Sequence, residues 1–175
     1  MNIQSFFEKD SFPSNPSRGQ ISGFIGGLAG AAIKSTVERF LDVRKIDQRS
    51  AQIKVMDQFS EKLLGSPIKL ENEGMVEQLV NVPLGGTVGA IYGYGKRDKE
   101  QVSMVDGVIL GATTWATTHE TSLPILGLEK SPTEIPVKTQ LHELFAHIIF
   151  GVTTEVVRSY VNDKLRDRQK DHGLY

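Results

Sequence analysis

Glu143, His147, Gly151, Thr154 and Arg158 follow one another at steps of four, four, three and four residues. On a helix of 3.6 residues per turn those steps keep all five on one face. The segment LHELFAHIIFGVTTEVVRSYV, residues 141–161, therefore carries one stripe of ionisable and hydroxyl groups with a glycine at its centre and Glu155 on its flank. Carboxylate and imidazole on one stripe suit proton transfer, because histidine titrates near neutrality. A matching polar face, Asp106, Thr114, Thr117, Thr118 and Thr121, runs along VSMVDGVILGATTWATTHETS and ends in His119-Glu120. His119, Glu120, Glu143, His147, Glu155 and Arg158 are thus the candidate buried polar, proton-handling residues. The plainer alternative is that Glu143–His147 and Glu155–Arg158 are i,i+4 and i,i+3 pairs that neutralise one another.

Metal chemistry has a narrower basis. His142-Glu143-x-x-x-His147 superficially resembles a zinc-protease motif, but its histidines are five apart, about 140° around a helix, and cannot share one ion. Glu143 and His147 could do so if His119 or Glu120 completed the set, which makes His119, Glu143 and His147 weak metal candidates. The glycine runs lack the Lys-Ser/Thr ending of a phosphate loop and follow no strand. With no cysteine in the chain, thiolate nucleophiles, disulfides and Cys-ligated zinc are excluded. No catalytic residue is identified, no cofactor is expected, and the chain leans away from being an enzyme.

The elements that carry these residues are defined by glycine. Gly85, Gly89 and Gly93 lie four apart in VPLGGTVGAIYGYG, and the spacing recurs at Gly26/Gly30 and Gly107/Gly111. Each set, with Gly151 on the fourth helix, makes a groove without side chains into which a second helix can pack, the device that matters most in lipid. Helices are expected at 20–40, 75–95, 102–122 and 141–161, each about as long as the ~30 Å hydrocarbon layer is thick and each bounded by charge. An amphipathic helix is expected at about 50–65, with Ile53, Met56, Phe59, Leu63 and Leu64 at helical spacing before the stop signal Gly65-Ser66-Pro67. Pro83 marks a kink or a helix start. No strand-like alternation competes, so the fold class is all-α: a bundle of about four glycine-rich, membrane-spanning helices plus one amphipathic helix. The domain reading is a flexible segment 1–19, one bundle domain 20–165 and a charged tail 166–175.

Composition sets the partners. Twenty basic and 21 acidic residues leave a net charge of −1, which excludes a basic nucleic-acid footprint. The expected partner is the lipid bilayer, and grooves on several helices suit a homo-oligomer as well as packing within one chain. Four spans place both termini on the side of the KRDKE loop, and the basic residues near the span ends put that side in the cytoplasm. Against this, the mean hydropathy is slightly negative. The alternative is a soluble or peripheral helical protein whose glycines pack an aqueous core in a structural or interaction role.

The order of several of these elements resembles the YagU-like family of bacterial inner-membrane proteins. The resemblance rests on the glycine-rich helix from Gly111 to His119, then Pro124, Gly127 and Leu128, then Glu143-Leu-Phe-Ala-His147 and Glu155-Val-Val-Arg158. Ala29-Gly30 followed by Lys34-x-x-x-Glu38 adds to it. It implies an integral inner-membrane bundle of unknown molecular activity, loosely associated with acid tolerance. The threonines here stand where that pattern has larger apolar residues.

Overall fold

Capping residues and glycine spacing between them explain where the helices start, stop and touch. The structure, a computed structural model, describes residues 15–41, 49–99 and 101–171. Most of the expected flexible segment 1–19, the last four residues of the expected tail, and Arg44 and Lys45 lie outside the described residues. Helix α1 is Pro16–Leu41. Its first turn has Pro at the start, where a missing N–H costs nothing, and Asn15 Oδ1 accepts the Arg18 N–H at 3.1 Å. Helix α2, Ala51–Leu64, is capped by the Ser50 side chain, which accepts from the Ile53 N–H, and ends at Gly65 with φ of 74°. That left-handed turn is one glycine adopts without a Cβ clash.

Helix α3, Glu73–Gly95, contains Pro83 in its interior, so the proline is no helix start. Helix α4, Met104–Thr117, is capped by Ser103, whose side chain accepts from the Asp106 N–H. The expected single helix over 102–122 instead widens into a π-helical turn at Thr118–Ser122 before the short helix α5, Leu123–Ile125. Hydroxyls explain the widening: Thr121 Oγ1 donates to the Ala116 carbonyl at 3.0 Å and Ser122 Oγ to the Thr117 carbonyl at 2.6 Å, both five residues back. Helix α6 runs 35 residues, Val137–Asp171, about 52 Å at 1.5 Å per residue. The charged end that follows residue 161 is helical as far as it is described.

Among the described residues every regular element is helical, so the all-α bundle is what the chain forms. Helices α1 and α4 run antiparallel to α3 and α6. The seam between α1 and α3 pairs Gly19, Gly23 and Gly27 with Gly93, Gly89 and Gly85. A Cβ placed on Gly89 would lie 2.7 Å from Gly27 Cα, and one on Gly93 2.7 Å from Gly23 Cα, far inside normal contact distance. On its other face α1 meets α6: a Cβ on Gly30 would lie 2.7 Å from the Phe150 carbonyl, and one on Gly26 3.1 Å from the Arg158 nitrogen. Between α4 and α6, a Cβ on Gly151 would lie 2.9 Å from Gly111 Cα, and one on Gly107 2.8 Å from Val152 Cα. Helix α2 lies along α3, joined by Gln52 Nε2 donating to Asn81 Oδ1 at 2.9 Å.

The distribution of polarity runs opposite to that of an aqueous globule. Among the described residues the buried apolar side chains are Ala31, Ile53, Ala146 and Phe150, whereas 13 polar or charged side chains are buried, with Arg158 and Asn162 at 0% exposure. Large apolar groups face outward on all four bundle helices, for instance Phe24 on α1, Ile91 on α3, Val105 on α4 and Phe145 on α6. By length and composition α6 is long and apolar enough to cross a membrane, and 44% of its apolar stretch is buried inside the bundle. The other three expected spans do not reach that apolarity: glycine and polar residues dilute α1 and α3, and α4 is only 14 residues long.

Candidate functional site

The α6 stripe divides at Gly151 into two clusters. Towards the C-terminal side, Glu155 and Arg158 form a two-point ion pair, with Arg158 Nε donating to Glu155 Oε2 at 2.7 Å and Nη2 to Oε1 at 2.9 Å. Tyr92 on α3 donates its hydroxyl to Glu155 Oε2 at 2.9 Å, and the Ser103 N–H donates to Oε1 at 3.0 Å. Arg158 Nη1 also donates to the Lys99 carbonyl at 3.3 Å. These bonds bind the α3–α4 loop to α6. Further along, Asn162 Oδ1 accepts from Arg18 Nε at 3.1 Å, and Arg18 Nη1 donates to Gln169 Oε1 at 3.3 Å. The start of α1, the α3–α4 loop and the end of α6 therefore share one end of the bundle. At the loop's surface Lys99 donates to Asp106 at 3.1 Å. That bond holds the Lys99 ammonium above the usual lysine range.

The second cluster sits at the opposite end. His119 is carried by the π turn, Glu129 by the segment after α5, and Glu143 and His147 by adjacent turns of α6. His119 Nδ1 lies 2.9 Å from Glu129 Oε2 and 3.6 Å from Glu143 Oε2. His119 and Glu143 are buried, with Glu129 partly so. The His147 ring stands edge-on to that of His119, with centroids 5.0 Å apart, and His147 Nδ1 is 2.8 Å from the Glu143 carbonyl. Because a carbonyl only accepts, Nδ1 carries the proton of that bond.

A cavity of about 310 Å³ opens beside the two histidines, between α1, α2, α3 and α6. Its wall is largely apolar, with Ser35, Gln52, Asn81, Thr114 and Thr118 among the polar exceptions and Lys34 at the edge. Lys34 is engaged by Glu38 at 2.7 Å. In a wall of this kind a few polar groups orient what enters.

Of the predicted polar residues, the structure brings His119, Glu143 and His147 together and places Glu155 and Arg158 about 12 and 17 Å farther along α6, by the helical rise over the eight and eleven residues from His147. Glu120 does not join either cluster; its Oε1 is buried without a hydrogen-bond partner. The predicted metal set is modified: the atoms that converge within 4.8 Å are those of His119, Glu129 and Glu143. Glu129 lies in an irregular segment, where no periodicity could have selected it. Gly19, Gly23 and Gly27 were equally absent from the predicted packing set, although their four-residue spacing was visible in the sequence.

No curated protein and no solved structure matches the chain. Residues 28–156 match a family described as "Protein of unknown function (DUF1440)". The match takes in α1 from Leu28, all of α2 to α5, and α6 through Val156, so the cluster of His119, Glu129, Glu143 and His147 falls inside it, while Arg158, Asn162 and Arg18 of the other cluster fall outside. The chain belongs to the DUF1440 family of proteins of unknown function.

Proposed function

We propose that this chain is a membrane-embedded four-helix bundle of the bacterial inner membrane, a YagU-like protein whose function resides in its polar interior. The observation that carries this reading is the reversed polarity: Arg158, Glu155, Asn162 and Thr154 are at most 1% exposed while apolar side chains cover the outside. In water such an arrangement forfeits the apolar burial that drives folding. In lipid it is the expected one, since ionisable groups within a membrane face the bundle interior and pair there. The glycine seams support the same reading, because close backbone approach replaces the hydrophobic drive that helices lack in lipid. Both termini then lie with the Lys96–Lys99 loop on the cytoplasmic side, an orientation supported by Lys96, Arg97, Lys99, Lys164, Arg166 and Arg168 at that end. A role in acid tolerance accompanies the YagU-like resemblance.

The test is fractionation of expressing cells followed by an alkaline carbonate wash. Protein that stays in the washed pellet and leaves only with detergent supports the reading. Protein released by carbonate, or found in the soluble fraction as a monodisperse monomer, overturns it.

A further inference from the structure

We propose that His119, Glu129 and Glu143 form a binding site for a divalent first-row transition-metal ion, with zinc the first to test, bordering the cavity beside α2. The site is independent of the membrane reading: it requires only the fold.

The geometry comes first. Three ligand atoms from three separate parts of the chain lie within 4.8 Å of one another. A tetrahedral ion with bonds of about 2.0–2.1 Å needs ligand atoms roughly 3.4 Å apart. His119 Nδ1 stands 2.9 Å from Glu129 Oε2 and 3.6 Å from Glu143 Oε2, so side-chain shifts of a few tenths of an ångström create the two edges around the imidazole. The π turn is the local device that aims His119 at the carboxylates, and π turns inside helices recur at functional sites.

Charge points the same way. Glu143 is 3% exposed and the carboxylate of Glu129 converges on the same imidazole. Two carboxylates gathered around one imidazole make an anionic, largely buried donor set, and a divalent ion neutralises both at once. One nitrogen and two oxygen donors with no sulfur suit zinc, manganese or ferrous ion and disfavour cuprous ion. His147 is not one of the three ligands. Its Nδ1 bond to the Glu143 carbonyl fixes the turn of α6 that presents Glu143, a supporting role of the kind that metal sites use.

Three protein ligands leave a position open, the pattern of sites at which a metal meets an exogenous group rather than merely holding a fold together. His119 belongs to both the ligand set and the cavity wall, whereas Glu129 and Glu143 do not line the cavity, so the site borders that space through His119.

The experiment titrates Zn²⁺ alone into detergent- or buffer-purified full-length protein stripped with chelator, read by calorimetry and by elemental analysis after desalting. One zinc per chain is expected. Co²⁺ in its place should give the visible absorption of a four-coordinate ion. Glu129→Gln, on a partly exposed segment, should leave the unfolding temperature of the stripped protein unchanged yet weaken zinc binding by about 100-fold, at least the loss seen when mere supporting residues are removed. His119→Asn and Glu143→Gln should likewise weaken zinc binding, whereas His142→Asn, outside the set, should bind like the parent. A folded parent that retains no stoichiometric zinc overturns the site, as does Glu129→Gln binding as tightly as the parent.

Discussion

Substituting Gly89 by alanine is the sharpest test of the helix packing. Its new Cβ would lie 2.7 Å from Gly27 Cα and 2.8 Å from Gly27 N, where about 3.5 Å or more is needed. These atoms, like the Gly23 carbonyl oxygen that the Cβ would meet closest of all, are backbone, so no rotamer change relieves the clash and the helices must part by roughly 1 Å. A gap of that size forfeits a quarter to a half of the dispersion attraction along the seam. Overpacking of this kind costs about 3 kcal/mol at the upper end of its usual range, and the better helix propensity of alanine returns about 1 kcal/mol. The net loss is about 2 kcal/mol, equivalent to a fall in unfolding temperature of about 4–8 °C for a chain of this size. Gly95→Ala is the internal control: it lies in the same helix but a Cβ there meets nothing within 4 Å, so it should match or slightly exceed the parent. Thermal unfolding followed by circular dichroism reads both. If Gly89→Ala unfolds within 1 °C of Gly95→Ala, the seam is not close-packed and the argument fails.

Removing one partner of the buried pair by Glu155→Gln or Arg158→Met should destabilise the fold by about 3–5 kcal/mol, because the other charge stays buried and uncompensated; the double substitution, measured in the same unfolding assay, should recover part of that loss. Tyr92→Phe removes only the hydroxyl donor to Glu155, and a loss of about 1.5–3 kcal/mol is expected for a bond to a charged group. The chain has no cysteine, so Lys99→Cys and Ser131→Cys can each be labelled cleanly. They sit at opposite ends of the bundle, and a membrane-impermeant maleimide applied to intact cells should modify Ser131→Cys alone; equal modification of both would refute a spanning arrangement.

The helices were legible because their signals are local. Gly65-Ser66-Pro67 marks the end of α2, and four-residue glycine steps mark the faces of α3 and α4. The π turn was not legible, since it depends on Thr121 and Ser122 hydroxyls competing for carbonyls five residues back, a choice that spacing alone does not encode. Half of the α1–α3 seam is obscured in the sequence for another reason: Gly26 and Gly27 are adjacent, so two glycine faces about 100° apart overlap and one hides the other. Glu143 and His147, read as one stripe, lie on adjacent turns of α6. The stripe's division into two clusters arises from tertiary partners, Tyr92 and Ser103 on one side and Glu129 on the other, none of which lies near the stripe in sequence.

The two glycine faces of α1 also dictate an order of assembly. The face toward α3 can close once Gly93 has been synthesised, but the face toward α6 must wait for Thr154 and Arg158. Sixty-five residues separate Gly93 from Arg158, several seconds of translation at about 5–20 residues per second. Throughout that interval Gly26 and Gly30 present bare backbone to the surroundings. Helix α6 is thus the closing element: a chain cut short before it would leave an incomplete hairpin for quality-control proteases, not a slightly weakened bundle.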